Sequence, residues 1–112
     1  MPTYRMLIDG APVEAVSGKH FDVFDPATGD VLAQVPDGGP EDVDRAVAAA
    51  RRAFEGGWRD ATAQERGRIL FRLAEAVRRE TKHLAELETR NSGKPIVESE
   101  FDMADEDRKS VV

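Results

Sequence analysis

The chain contains no cysteine among its 112 residues, so disulfides, thiolate metal ligands and cysteine nucleophiles are all excluded from it. Histidine is scarce as well. His20 and His83 stand far apart, and a transition-metal site has no ligand cluster to start from. Positive charge is in deficit: 16 Lys and Arg face 22 Asp and Glu, a net charge of −6. The arginines are spread through acidic segments, so no basic face is available to meet phosphates, and no nucleic-acid partner is expected. No apolar run approaches the roughly 20 residues of a membrane span, and the N-terminus has no signal-peptide core. No membrane partner is expected, and a cytoplasmic location is. What remains is 40% hydrophobic and 34% charged, a composition that suits one globular domain at most in this length.

The first third has the pattern of β-structure. Tyr4–Ile8 is a short apolar run ended by Asp9-Gly10, and Pro12–Val16 continues past that turn. Phe21-Asp22-Val23-Phe24 then runs into Asp25-Pro26-Ala27-Thr28-Gly29, with Val31–Val35 as the return strand. Proline second and glycine last suit a type I turn closed by a left-handed residue, so two hairpins are predicted.

Helices follow, with marked ends. Gly39 can act as N-cap, Pro40 fits the first helical position, and Glu41 and Asp42 put negative charge at the positive end of the dipole. Val43, Ala46, Val47, Ala50 and Phe54 recur at helical spacing before Gly56-Gly57, and the small residues at 46, 48–50 and 53 suit close approach to a sheet. Thr62-Ala63-Gln64-Glu65 is a capping-box pattern, with Ile69, Leu70, Leu73 and Val77 as the expected buried stripe behind it. A break or kink is expected near Glu80-Thr81-Lys82, and Gly93 with Pro95 should end this region. A third helix can start after Pro95, with little expected burial, because acidic residues dominate from Glu98 onward.

Several motifs resolve into plain structure. Ser92-Gly93-Lys94 and Ser17-Gly18-Lys19 lack the earlier glycine and the following Ser or Thr of a phosphate loop, so a helix C-cap and a turn are the better readings. Gly38-Gly39 lacks the third glycine of a dinucleotide fingerprint, and Glu41 and Asp42 would repel a phosphate there. The carboxylates from Glu98 to Asp107 have no glycine among them to form a calcium loop, and they read as a solvated helix face. Trp58 reads as a residue packing a loop onto the neighbouring helix, and His83 as exposed.

Taken in order, Ile8-Asp9-Gly10, Pro26-Ala27-Thr28-Gly29, Glu41-Asp42-Val43 with Ala46, Arg66 with Ile69-Leu70, Leu87-Glu88-Thr89 and Gly93-Lys94-Pro95 resemble the N-terminal part of the aldehyde dehydrogenase superfamily. The stretch Glu98–Met103 is similar to betaine- or amino-aldehyde-type members. The resemblance implies an α/β fold, here only the N-terminal β-hairpins followed by two or three helices of the NAD(P)-binding domain, spanning residues 1–105. It implies a parent that oxidises an aldehyde to a carboxylic acid with NAD or NADP through a cysteine thiohemiacetal and thioester. That parent is expected to be a homodimer or homotetramer. The family's cysteine, glutamate and cofactor-binding strands match no position of this chain, so no catalytic and no cofactor-binding residue is assigned. The resemblance carries one site onto these residues: a monovalent-cation site using the backbone oxygens of Val23 and Phe24 and the side chain of Asn91.

The expected reading is therefore an inactive N-terminal piece of an NAD(P)-dependent enzyme. The alternative is a short non-catalytic binding module that docks on a full-length homologue. Residues 106–112 are expected to be an artefactual tail, because Asp107-Arg108-Lys109-Ser110-Val111-Val112 is what one frame of a common sequencing-adapter oligonucleotide encodes.

Overall fold

A computed structural model describes the backbone of residues 1–109 and side chains through residue 105. The expected tail at 106–112 thus lies outside the residues whose side chains are described. The chain divides into two compact units, one of Met1–Phe24 with Asp30–Asp60, the other of Asp25–Gly29 with the residues from Ala61 onward.

The first unit holds two antiparallel hairpins and one helix. Strands β1 (Met6–Ile8) and β2 (Ala11–Val13) pair with Leu7 opposite Pro12. Asp9 and Gly10 join them at φ 55° and 72°, and two positive-φ residues form the tight loop whose twist matches the flanking strands. Strands β3 (His20–Phe24) and β4 (Val31–Pro36) pair with Asp22 opposite Gln34, and the Gln34 amide donates to the Asp22 carboxylate at 2.8 Å. The ladder shifts register between Val23 and Phe24, a bulge. Tyr4 N–H donates to the Gln34 carbonyl and Gln34 N–H to that of Pro2, fastening the N-terminal segment to β4.

Helix α1 (Pro40–Glu55) begins at Gly39 and ends at Gly56, as the sequence predicts. Its small residues face β1: Ala46, Ala49, Ala50 and Ala53 line an open groove of about 350 Å³ with Leu7 and Ile8. Val43, Val47 and Phe54, at helical spacing on the same element, are exposed. The apolar side chains that the unit buries, among the described residues, are Ala15, Leu32, Ala33 and Ala49. A short 3-10 turn, Trp58–Asp60, closes the unit, and Trp58 is half-exposed there.

The second unit is built on two helices of unequal length. Helix α2 (Ala63–Ser92) is continuous for 30 residues, which corrects the expected break at 80–82. No Gly or Pro interrupts it between Gly67 and Gly93, and the Thr81 hydroxyl donates back to the Val77 and Arg78 carbonyls instead of breaking the ladder. The predicted box forms: Glu65 N–H donates to the Thr62 hydroxyl at 3.2 Å and Thr62 N–H to the Glu65 carboxylate at 2.7 Å.

The expected buried stripe does not form as such. Ile69, Leu70 and Leu73 are 40–51% exposed, and Val77 is half-buried. Ala74 and Ala85 are the side chains that α2 buries completely. Helix α3 (Ile96–Lys109) packs against α2, so the expectation of little burial is corrected at Ser99, which is wholly inaccessible. Val97 and Phe101 remain exposed.

Candidate functional site

The buried polar side chains among the described residues are Asp42 in the first unit and Asp25 and Ser99 in the second. In the first, the Asp42 carboxylate is 3% exposed although it sits on the first turn of α1. It accepts from Gly39 N–H at 3.0 Å and from Val16 N–H at 3.1 Å, and Arg45 lies 3.4 Å away. One side chain thereby satisfies an orphan donor at the helix start and pins the segment after β2. The sequence reading treated Asp42 as a dipole charge only; its place three residues after the cap was the signal for more.

In the second unit, the turn Asp25–Gly29 meets the C-terminal end of α2. Asp25 is 8% exposed; its carboxylate accepts from Ala27 N–H at 2.9 Å and lies 3.8 Å from the Arg90 guanidinium. Gly29 closes the turn in the left-handed region, φ 79°, and donates to the Asp25 carbonyl at 2.8 Å. Gly93 ends α2 at φ 75°, also left-handed, and donates to the Thr89 carbonyl at 2.9 Å. A Cβ at Gly93 would stand 3.0 Å from the Pro26 ring, so both the backbone angle and the space require glycine.

Past that cap, Lys94 bridges the Asp102 carboxylate and Glu88, the latter at 3.4 Å. The hydrogen bond to Asp102 raises the Lys94 pKa above its ordinary value. Deeper in, the Thr89 hydroxyl donates to the buried Ser99 hydroxyl at 2.8 Å. Ser99 gave no sequence signal: a single serine in an acidic helix reads as solvent-facing until its partner is known.

Of the residues expected to hold a cation, Val23 and Phe24 are adjacent at the bulge that ends β3, in the first unit. Asn91 belongs to the second, exposed on the last turn of α2. Among the described residues no group of three or more His, Cys, Asp or Glu could hold a metal ion, and no helix is long and apolar enough to cross a membrane. The Asp42 carboxylate lines an open cavity with Val16, Ser17 and Pro40, while its oxygens accept from backbone N–H groups and lie beside Arg45.

A mixed α/β architecture of two hairpins followed by capped helices, with a glycine–lysine–proline elbow after a long helix, defines the class. Residues 13–107 match the model of the aldehyde dehydrogenase family, and the chain belongs to that family. It is similar to betaine aldehyde dehydrogenase from Staphylococcus aureus, solved in complex with NAD+, at 38% identity and a TM-score of 0.92 over 96% of this chain. It is similar also to an NAD-dependent aldehyde dehydrogenase from Sinorhizobium meliloti, at 34% identity and a TM-score of 0.93 over 97% of this chain. The chain spans 22% of the length of either relative.

Proposed function

We propose that residues 1–105 are the N-terminal portion of the NAD(P)-binding domain of a longer aldehyde dehydrogenase, which oxidises an aldehyde to the acid with NAD or NADP. The observation that carries this reading is the 38% identity to an NAD+-bound betaine aldehyde dehydrogenase along nearly all of this chain but 22% of that one. The cofactor supplies the hydride acceptor when bound. The attacking thiolate must come from other polypeptide, since these 112 residues hold no cysteine. In this reading the chain contributes a platform: α1 fixed by Asp42, and the elbow at Gly93 fixed by Pro26. The parent is a cytoplasmic homodimer or homotetramer, and the 112-residue chain alone is inactive.

The Val23 and Phe24 carbonyls and the Asn91 side chain complete the reading as ligands to a monovalent cation. The register shift places Val23 and Phe24 side by side at the end of β3, and neutral oxygen donors suit a hard, singly charged ion.

The test is to sequence the source DNA past the codon for Asp105, express the longest open frame, and follow aldehyde-dependent reduction of NAD and NADP. Turnover by the long protein and none by the 112-residue chain is expected; absence of a cysteine-containing continuation sinks the reading. The second reading, a non-catalytic module docking on a full-length homologue, is favoured by the intact caps at Asp42, Glu65 and Gly93. Co-purification with a full-length aldehyde dehydrogenase would support it.

A further inference from the structure

Two aspartates of this chain stand directly before a glycine, in Asp9-Gly10 and Asp37-Gly38. Such a pair is open to main-chain isomerisation, because no Cβ shields the glycine nitrogen from the preceding carboxyl group. Every other aspartate precedes a residue with a side chain, and Asp25 precedes Pro26, which has no N–H at all. Both Asp-Gly pairs are exposed, so accessibility does not choose between them.

Backbone geometry does. Among the described residues Asp9 is the only non-glycine with positive φ, 55°, and Gly10 follows it at 72°. In that left-handed region the Cβ of an L-residue crowds the following carbonyl, so the hairpin tip holds strain. The Asp9 side chain is 70% exposed, and its ion pair with Arg52, at 3.5 Å, stands in solvent and restrains it weakly. A Cβ on Gly10 would meet nothing within 4 Å, and the tip borders the open groove beside Ala46 and Ala50, which leaves its nitrogen room to move. Asp37-Gly38 is held instead. The Asp37 N–H donates to the Lys19 carbonyl at 2.8 Å, and a Cβ on Gly38 would stand 3.3 Å from the Met6 sulfur. The next residue, Gly39, is bound through its N–H by the Asp42 carboxylate at 3.0 Å.

We propose that Asp9-Gly10 is a covalent modification site, at which the folded chain converts Asp9 to isoaspartate ahead of Asp37. The Gly10 nitrogen attacks Asp9 Cγ and forms a new C–N bond. The Gly10 amide proton and the hydroxyl of the protonated Asp9 carboxyl leave together as water, and a succinimide ring remains. A second water then opens the ring. Attack at Cγ restores aspartate, whereas attack at the former main-chain carbonyl leaves the chain running through Cβ and frees an α-carboxylate. One water leaves and one returns, and nothing is oxidised or reduced. The inserted methylene lengthens a loop whose two-residue geometry sets the pairing of Leu7 with Pro12. The site uses residues of this chain alone and is independent of the dehydrogenase reading.

Incubation of the full 112-residue chain in water enriched in heavy oxygen tests it, because each ring opening writes one solvent oxygen into the residue. Tryptic digestion in ordinary water then separates the two pairs: Asp9 is the sole aspartate of fragment 6–19, and Asp37 lies in fragment 20–45. Label in 6–19 several-fold above that at Asp37 is expected, with a second chromatographic form of 6–19 carrying the isoaspartate. In the urea-unfolded chain the two pairs should label at similar rates, so the preference disappears. Asp9→Glu, whose longer side chain does not close the succinimide, should leave 6–19 unlabelled. Label mainly at Asp37, a ratio that unfolding does not change, or a fragment 6–19 that stays unlabelled overturns the proposal. So does label in 6–19 that survives Asp9→Glu.

Discussion

The two units solve the same problem by different means. Each has too few large apolar side chains turned inward to make a core by bulk, and each buries mainly alanine. The first recruits a buried carboxylate, Asp42, which ties the sequence-distant Val16 N–H to the start of α1 while also accepting from the N-cap Gly39 N–H. The second uses covalent geometry: two left-handed glycines and a proline ring set the turn and the elbow, with one hydroxyl pair sealed between α2 and α3. Where bulk burial is short, small domains rely on directional contacts, and these fail abruptly when one partner is removed.

The largest effect should come from breaking the first unit's device. Asp42→Ala strands Gly39 N–H and Val16 N–H and should cost about 2–3 kcal/mol, read by chemical denaturation, with hydrogen exchange accelerating first around Val16 and Gly39. Asp42→Asn, which keeps an acceptor, should recover part of that loss. A smaller change is expected in the second unit from Gly93→Ala, about 1–2 kcal/mol, because both the left-handed backbone and the Pro26 ring oppose a Cβ. If Gly93→Ala proves the costlier of the two, the ranking of carboxylate over glycine is wrong.

Ser99→Ala should cost about 1 kcal/mol by leaving the Thr89 hydroxyl without its acceptor. Thr89→Val combined with Ser99→Ala should cost less than the sum of the two single changes, and full additivity would show that the hydroxyls act independently. The smallest effects are pH-dependent. The Thr62 backbone and hydroxyl lower the Glu65 pKa from 4.5, so its contribution is present above that value and is lost as pH falls through the folded pKa. Raised from 10.5, the Lys94 pKa acts oppositely: its contribution is complete below that value and is lost as pH rises through the folded one. Amide shifts at Glu65 and side-chain shifts at Lys94 should report each transition, and Glu65→Gln should abolish the acid one.

Element ends were legible because punctuation residues act locally. Asp9-Gly10, Gly39-Pro40, Thr62 with Glu65, and Gly93 all mark boundaries where the structure has them. Burial was less legible. Apolar spacing on α2 identified a face at Ile69, Leu70 and Leu73 correctly, yet a face is buried only if something covers it, and periodicity carries no information about the cover. Local signals also misjudged Glu80-Thr81-Lys82, since the Thr81 hydroxyl bonds its own helix. The importance of Asp25, Asp42 and Ser99 depends on partners elsewhere in the chain or on surroundings that no local window contains.

The hairpin tip at Asp25–Gly29 has a consequence for the order of events during synthesis. Its neighbours in the second unit, Arg90 and Gly93, lie far along the sequence. At about 5–20 residues per second, the ribosome delivers them roughly 3–13 s after the tip has emerged. The β3–β4 hairpin can pair at once, but Asp25 and Pro26 wait, exposed, until the end of α2 arrives. A nascent chain stalled before Gly93 would carry an unsealed turn, and a protease or chaperone would meet it there first.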